Sequence, residues 1–361
     1  MRWETAVASD RITTTTIVLI GLILMSAAAI WASSVFAPAV FALFIIAVVW
    51  PVQSALQRVM PNLAALILTT LMTMAVCAGF GWLVVWAFGR VGRWAISDAA
   101  QLQSLYDRAL SWLQERGISV AGLWEQHFNA GWIVRTIQTV TGRLNTTLTF
   151  WLVVLLYVVL GLLEVDEMGR KFASLKDRTS AERLLSGMRQ TAMKFRRYMI
   201  VRTQMSIATG VLVWLLALAT GLPFATEWGV VAFVLNYIPV IGPFIATMFP
   251  TVLAMTQFET WQAVIFLFLA LNLIQFVVGS YIEPRMSGAA LSISPTLVLF
   301  SVFFWAYVWG IFGAFIGVPI TIAALTFCEQ YPSSRWLAHL LGGAARLRED
   351  DAPAETAHEV D

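Results

Sequence analysis

Residues 63–88 read LAALILTTLMTMAVCAGFGWLVVWAF, 26 residues without a single charge. A helix needs about 20 mainly apolar residues to cross the ~30 Å hydrocarbon layer, and a helix satisfies every backbone polar group within its own span. Leu63–Phe88 meets both conditions, so it reads as a transmembrane helix. Seven more charge-free stretches flank it: Ile12–Trp31, Val35–Trp50, Leu148–Leu163, Thr203–Thr226, Trp228–Phe258, Thr260–Ile282 and Met286–Cys328. Val35–Trp50 and Leu148–Leu163 are only 16 residues at their apolar limits, and neighbouring Ser, Thr and Asn extend them at small cost. Trp228–Phe258 and Met286–Cys328, at 31 and 43 residues, are too long for single straight spans and carry Pro and Gly near their middles. The expected fold is all-α: a polytopic integral membrane protein of about eight membrane segments, the sixth and eighth broken or re-entrant at Pro/Gly motifs.

Composition points the same way and argues against a soluble enzyme. Of 361 residues 59% are hydrophobic and 12% charged, with mean hydropathy +0.77; soluble chains run at about 45–50% apolar and about 25% charged. Ile12–Trp31 leads into a second apolar run without a small-x-small cleavage site, so it reads as a retained helix rather than a signal peptide. Cys77 and Cys328 offer neither a disulfide framework nor metal-ligand spacing. His127, His339 and His358 lie outside the apolar segments and lack triad or metal spacing. No G-x-x-x-x-G-K-[ST] occurs, so transport by this chain is secondary or passive rather than driven by its own nucleotide hydrolysis. No catalysis, cofactor, metal or nucleic-acid partner is expected.

Lys and Arg at segment ends set orientation, because cationic loops stay cytoplasmic. Between the fourth and fifth segments stand Arg170, Lys171, Lys176, Arg178, Arg183, Arg189, Lys194, Arg196 and Arg197, nine cations in 28 residues, with Arg202 just beyond. With that linker inside, both termini are expected to be cytoplasmic, and Arg335, Arg346 and Arg348 in the tail agree. The chain then divides into a cytoplasmic N-terminus (1–11), three membrane helices (12–88), an extracytoplasmic insert (89–147), a fourth membrane helix (148–163), a cationic cytoplasmic helical linker (164–202), a Pro/Gly-rich transport half (203–328) and a polar, disordered cytoplasmic tail (329–361). In the insert Leu102, Leu105, Tyr106, Ala109, Leu110 and Leu113 form an amphipathic stripe that Gly117 ends. In the linker Thr179-x-x-Glu182 reads as a capping box opening a helix.

The Pro/Gly-rich half carries the functional signals. Asn236-Tyr237-Ile-Pro239-Val-Ile-Gly242-Pro243-Phe-Ile-Ala-Thr-Met-Phe-Pro250 loses amide donors at three prolines, and lipid cannot satisfy the freed carbonyls. Such backbone belongs against protein or a watery cavity, as in the broken helices of secondary transporters; a proline-kinked structural helix is the alternative. Tyr307-Val-Trp-Gly310-Ile-Phe-Gly313-Ala-Phe-Ile-Gly317-Val-Pro319 is a second such element, and Gly242-Pro-Phe-Ile overlays Gly313-Ala-Phe-Ile as an internal repeat. If the repeat is real, the sixth segment is a hairpin opening outward and the eighth a hairpin opening inward. Gly313-x-x-x-Gly317 also reads as an ordinary close helix approach. Between the two elements stands Glu283-Pro284-Arg285, the one charged cluster between Glu259 and Glu329. It reads as a mutual Glu283–Arg285 pair, as a substrate or coupling-ion site, or as loop charge. Asn272, Gln275 and Ser280 lie at roughly helical spacing and are candidates to line the same cavity.

With these residues in view the chain resembles the autoinducer-2 exporter (AI-2E) family over roughly residues 12–330. The likeness rests on Asn236-Tyr-Ile-Pro-x-x-Gly242-Pro243, on Glu283-Pro-Arg285 with its small-residue loop to Pro295, and on Gly310-x-x-Gly313-x-x-x-Gly317-x-Pro319. The resemblance implies a multi-pass bacterial inner-membrane transporter in the lipid bilayer, working as a homo-oligomer with a pentamer as a candidate assembly. It implies export of a small furanosyl signalling molecule in some members and Na⁺(Li⁺)/H⁺ antiport in others. Because the apolar spans lack Asp and Glu, the residues favour a small polar, uncharged or anionic solute over antiport. A non-transporting scaffold is the reading of another class.

Overall fold

The structure is a computed structural model that describes residues 16, 20, 21, 23–98, 103, 104, 111, 115, 144–173, 178–287, 293–331 and 334–342. The amphipathic stripe expected in the insert, eight residues of the first apolar segment and the end of the tail lie outside these residues. So does the side chain of Thr179.

The described chain is helical, with one isolated antiparallel bridge between Ile293 and Gly342. α1 (Ser33–Leu56), α2 (Asn62–Ser97) and α3 (Leu144–Ala173) correspond to the second, third and fourth apolar segments. α4 (Arg178–Ala219) joins the cationic linker and the fifth segment in one unbroken helix of 42 residues. α5 (Ala225–Leu235) and α6 (Ile241–Gln257) replace the sixth segment. α7 (Trp261–Phe276) runs through a π-helical turn (Val277–Ile282) into the short α8 (Glu283–Ser287). α9 (Pro295–Gln330) is the eighth segment, and α10 (Arg335–Leu341) follows it.

The sixth and eighth segments are hairpins, and side-chain geometry settles it. Twenty residues of straight helix span ~30 Å, yet the hydroxyls of Ser301 and Thr321 share a hydrogen bond of 2.7 Å. α9 folds back at Trp309–Gly310, where Gly310 takes φ 62°, ψ −144°, a conformation closed to side chains with a Cβ. Its two ends return to one side: the Ser294 amide donates to the Leu341 carbonyl, and Lys194 and Gln190 of α4 bond Glu329 and Gln330. In the first hairpin the break covers residues 236–240, with Val240 at φ 65°.

The internal repeat is visible as geometry. A Cβ on Gly242 would overlap the Leu235 carbonyl, and a Cβ on Gly313 would overlap the Trp305 carbonyl. In each hairpin the second arm starts with a glycine pressed on the last carbonyls of the first arm. Gly317 continues that contact, since its Cβ would stand 2.8 Å from the Ser301 carbonyl. The small-x-x-x-small spacing thus serves two arms of one hairpin. The hairpins lie side by side: Tyr237 stacks on Phe315 at 5.4 Å, and Ile238 packs with Val302, Ala314, Val318 and Ile322.

Hydroxyls inside the bundle bond carbonyls of their own helices. Thr73, Thr251 and Thr326 each donate to the carbonyl four residues back. Two apolar clusters hold the bundle. One ties α4 to α5–α7 through Val213, Ala217, Trp228, Leu235, Leu253 and Leu267. The other ties α1 and α3 to the second hairpin, with Phe41 edge-on to Phe150 at 5.8 Å and Phe150 stacked on Phe312 at 4.0 Å.

Candidate functional site

α4 carries a buried polar stripe at helical spacing. Arg202, Ser206 and Thr209 are 5%, 0% and 0% exposed, and the same face turns apolar one turn later at Val213 and Ala217. The first hairpin brings its break to this stripe. Asn236 donates its amide to the Ser206 hydroxyl at 3.3 Å, and the Tyr237 hydroxyl donates to Thr203 Oγ1 at 3.0 Å. The Tyr237 ring meets Phe80 of α2 and Phe233 of α5 edge-on, at 5.8 and 5.6 Å, and stacks on Phe315 of the second hairpin. One side chain therefore touches α2, α4, α5 and the other hairpin.

The same stripe ends in an ion pair. Arg202 Nη1 donates to Glu283 Oε1 at 2.6 Å and to Oε2 at 2.8 Å. The side chains are 6% and 22% exposed, so the pair is largely withdrawn from solvent. This corrects the mutual Glu283–Arg285 pair expected from sequence. Arg285 is exposed, with its guanidinium 3.7 Å over the Tyr281 ring. Pro284 has no amide to give to the Ser280 carbonyl, and the wider π-helical turn over residues 277–282 takes up the lost register. That extra residue in the turn rotates Glu283 towards α4.

Several buried polar atoms around the stripe have no partner among the described residues: Arg202 Nε, the Tyr198 hydroxyl one turn before it, Thr209 Oγ1 and Gln275 Nε2. Of the candidate residues, Asn236, Tyr237, Pro239, Gly242 and Pro250 are buried in the first hairpin, with Pro243 half-buried. Gly313, Gly317 and Pro319 are buried in the second, while Gly310 at its tip is exposed. Gln275 is half-buried. Asn272 and Ser280 are exposed, and Asn272 donates to the Phe268 carbonyl of its own helix at 2.8 Å. The structure does not bring these two to the stripe.

Sequence reading passed over Arg202, Thr203, Ser206 and Glu227. Arg202 stands just beyond the nine linker cations, five residues past Arg197, and opens a charge-free run. That offset was the available signal. Glu227 falls between two charge-free segments, and its burial is not legible there: it is 4% exposed and pairs with Arg90 of α2 at 2.9 Å.

Residues 19–333 match the AI-2E family transporter pattern. The chain belongs to the AI-2E transporter family. The AI-2 transport protein TqsA of Escherichia coli is 30% identical over 199 residues, covering 55% of this chain and 57% of that protein. A protein of Borreliella burgdorferi is 29% identical over 216 residues, 60% of this chain and 59% of its own. A protein of Haemophilus influenzae is 30% identical over 230 residues, 60% of this chain and 63% of its own. The matched region thus spans about three fifths of these curated relatives. In this AI-2E-family chain both hairpins and the Arg202–Glu283 pair fall inside residues 19–333.

Proposed function

We propose that this chain is a secondary or passive transporter of the bacterial inner membrane that exports a small polar solute, uncharged or anionic, of the autoinducer type. The path runs along α4 past the tip of the first hairpin. The observation that carries the reading is the buried polar stripe of Arg202, Ser206 and Thr209 facing Asn236 and Tyr237. Buried polar groups cost about 1–3 kcal/mol each when unpaired, and apolar packing needs none of them. Half-satisfied donors and hydroxyls suit a solute that exchanges its hydration for them. The stripe covers only part of α4 and ends at the apolar cluster around Val213, which closes the other half of the path.

Charge supports a solute over a cation. Glu283, the carboxylate a Na⁺(Li⁺)/H⁺ antiporter would use, is already held by Arg202, so hydroxyls and amides are the groups left to read the cargo. The name of the Escherichia coli relative, AI-2 transport protein, fits a small polar cargo. A homo-oligomer fits the exposed Asn272 amide on apolar α7, which lipid solvates poorly.

The test is flux from purified protein in liposomes, with furanosyl signalling solutes and Na⁺ or Li⁺ gradients measured side by side. Solute flux that drops roughly tenfold in Asn236→Ala is expected. Proton flux driven by Na⁺ or Li⁺ without solute flux would replace this reading with antiport. A protein that assembles but moves neither is a scaffold.

A further inference from the structure

We propose a second binding site, for the phosphate of a net-anionic phosphoester, at the far end of α2, where Arg90 and Arg93 meet the entry of the first hairpin. It is independent of the transport reading. A depression of about 540 Å³ is lined by Trp86, Arg90, Leu218, Leu222, Phe224 and Glu227, among others. A neighbouring one of about 320 Å³ shares Arg90 and Phe224 and adds Arg93, Trp94 and Ser97.

The charges are built in rather than scattered. Glu227 is buried in the first turn of α5 and takes one N–H of Arg90 at 2.9 Å, while the Arg90 side chain stays 47% exposed. A guanidinium has five donors in a fixed fork, so Glu227 orients Arg90 and leaves most of that fork to a ligand. Arg90, Arg93 and Glu227 together carry one net positive charge. The Arg90 guanidinium also lies 5.8 Å from the Trp86 ring, which stacks on Trp82 at 6.2 Å. Trp94 and Phe224, 6.3 Å apart, wall the other side.

Phe224 marks the place independently. It is one of two described non-glycine residues with positive φ, at 62°, immediately before α5. Strain of this kind costs of order 1–3 kcal/mol and persists where surroundings hold it, often at ligand sites. Here it aims the ring into both depressions.

Depth names the ligand chemistry. Arg90 ends the charge-free run that follows Arg58 and stands at the hydrocarbon boundary, with Trp82, Trp86 and Trp94 around it. A paired guanidinium fork suits phosphate oxygens, and the apolar rim of Leu218, Leu222 and Trp86 suits the carbon body attached to them. Two sources share this chemistry: the headgroup of an anionic phospholipid and a phosphate-bearing solute from water.

Native mass spectrometry of the full chain, with phosphatidylglycerol or phosphatidylcholine added and inorganic phosphate as competitor, tests the site. Arg93→Gln changes an exposed side chain, and Arg90→Gln with Glu227→Gln removes both members of the Arg90–Glu227 pair, so neither strands a charge; thermal melting checks that both fold. Wild type is expected to retain phosphatidylglycerol over phosphatidylcholine, with roughly tenfold weaker retention in both variants. Displacement of that lipid by inorganic phosphate shows that the phosphate is the group recognised, and phosphate binding without lipid retention that both variants lose assigns the site to a phosphate-bearing solute. Equal lipid retention by all three proteins, with no response to phosphate, overturns the proposal.

Discussion

The two hairpins are built alike and finish differently. Both press a glycine, Gly242 or Gly313, against the last carbonyls of the preceding arm, and both turn through a residue at φ near +60°, Val240 or Gly310. Their ends open to opposite sides of the bundle. The first carries Asn236 and Tyr237 to the hydroxyls of α4. The second is aromatic at its turn, where the Trp309 indole donates to the Ala29 carbonyl at 3.0 Å and Phe312 packs on Phe150. One construction thus serves a polar reading surface in one copy and an anchoring surface in the other.

The strongest way to break that comparison is to add the missing Cβ. Gly242→Ala and Gly313→Ala each force backbone apart, and each is expected to cost about 3 kcal/mol or more. Wild-type melting in detergent for either variant would mean that its hairpin does not close as described.

Next comes the ion pair that anchors α8 beside the first hairpin. Glu283→Gln or Arg202→Gln strands a largely buried charge and is expected to cost about 3–5 kcal/mol, with much of it recovered in the double variant. Arg285→Gln loses only an exposed cation–π contact, about 0.5–1 kcal/mol. If Arg285→Gln proves as damaging as Arg202→Gln, the pairing described here is wrong.

The two tips are separated by one change at each. Tyr237→Phe removes one hydrogen bond, worth about 1 kcal/mol in melting, whereas Trp309→Phe removes a hydrogen bond and part of a buried ring, about 2–3 kcal/mol. Flux should fall in Tyr237→Phe alone. An equal loss of flux in both would make the second hairpin a reading surface too.

The smallest effect is expected at Asn272. Because its amide bonds its own helix and faces outward, Asn272→Leu should shift protomer stability within about 0.5 kcal/mol. A change in oligomer mass in nanodiscs with unchanged flux would place this face between subunits, and a loss of flux would return Asn272 to the path.

Sequence alone determined that this chain lives in a membrane, and roughly where its segments run. Partition into hydrocarbon depends on local apolar length, which Leu63–Phe88 displays without help from the rest of the chain. It also marked both breaks, because Pro239, Pro243 and Gly310 change backbone options where they stand. Tertiary structure alone decided that the breaks are hairpins, since Ser301 meets Thr321 only when the arms fold together. It decided too that Glu283 takes Arg202, 81 residues away, over Arg285 two residues away. Partner choice between charges depends on which helices pack, and on how a π-helical turn rotates one of them, and neither is written at the positions of the charges themselves. Glu227 follows the same rule: its burial against Arg90 exists only once α2 and α5 meet.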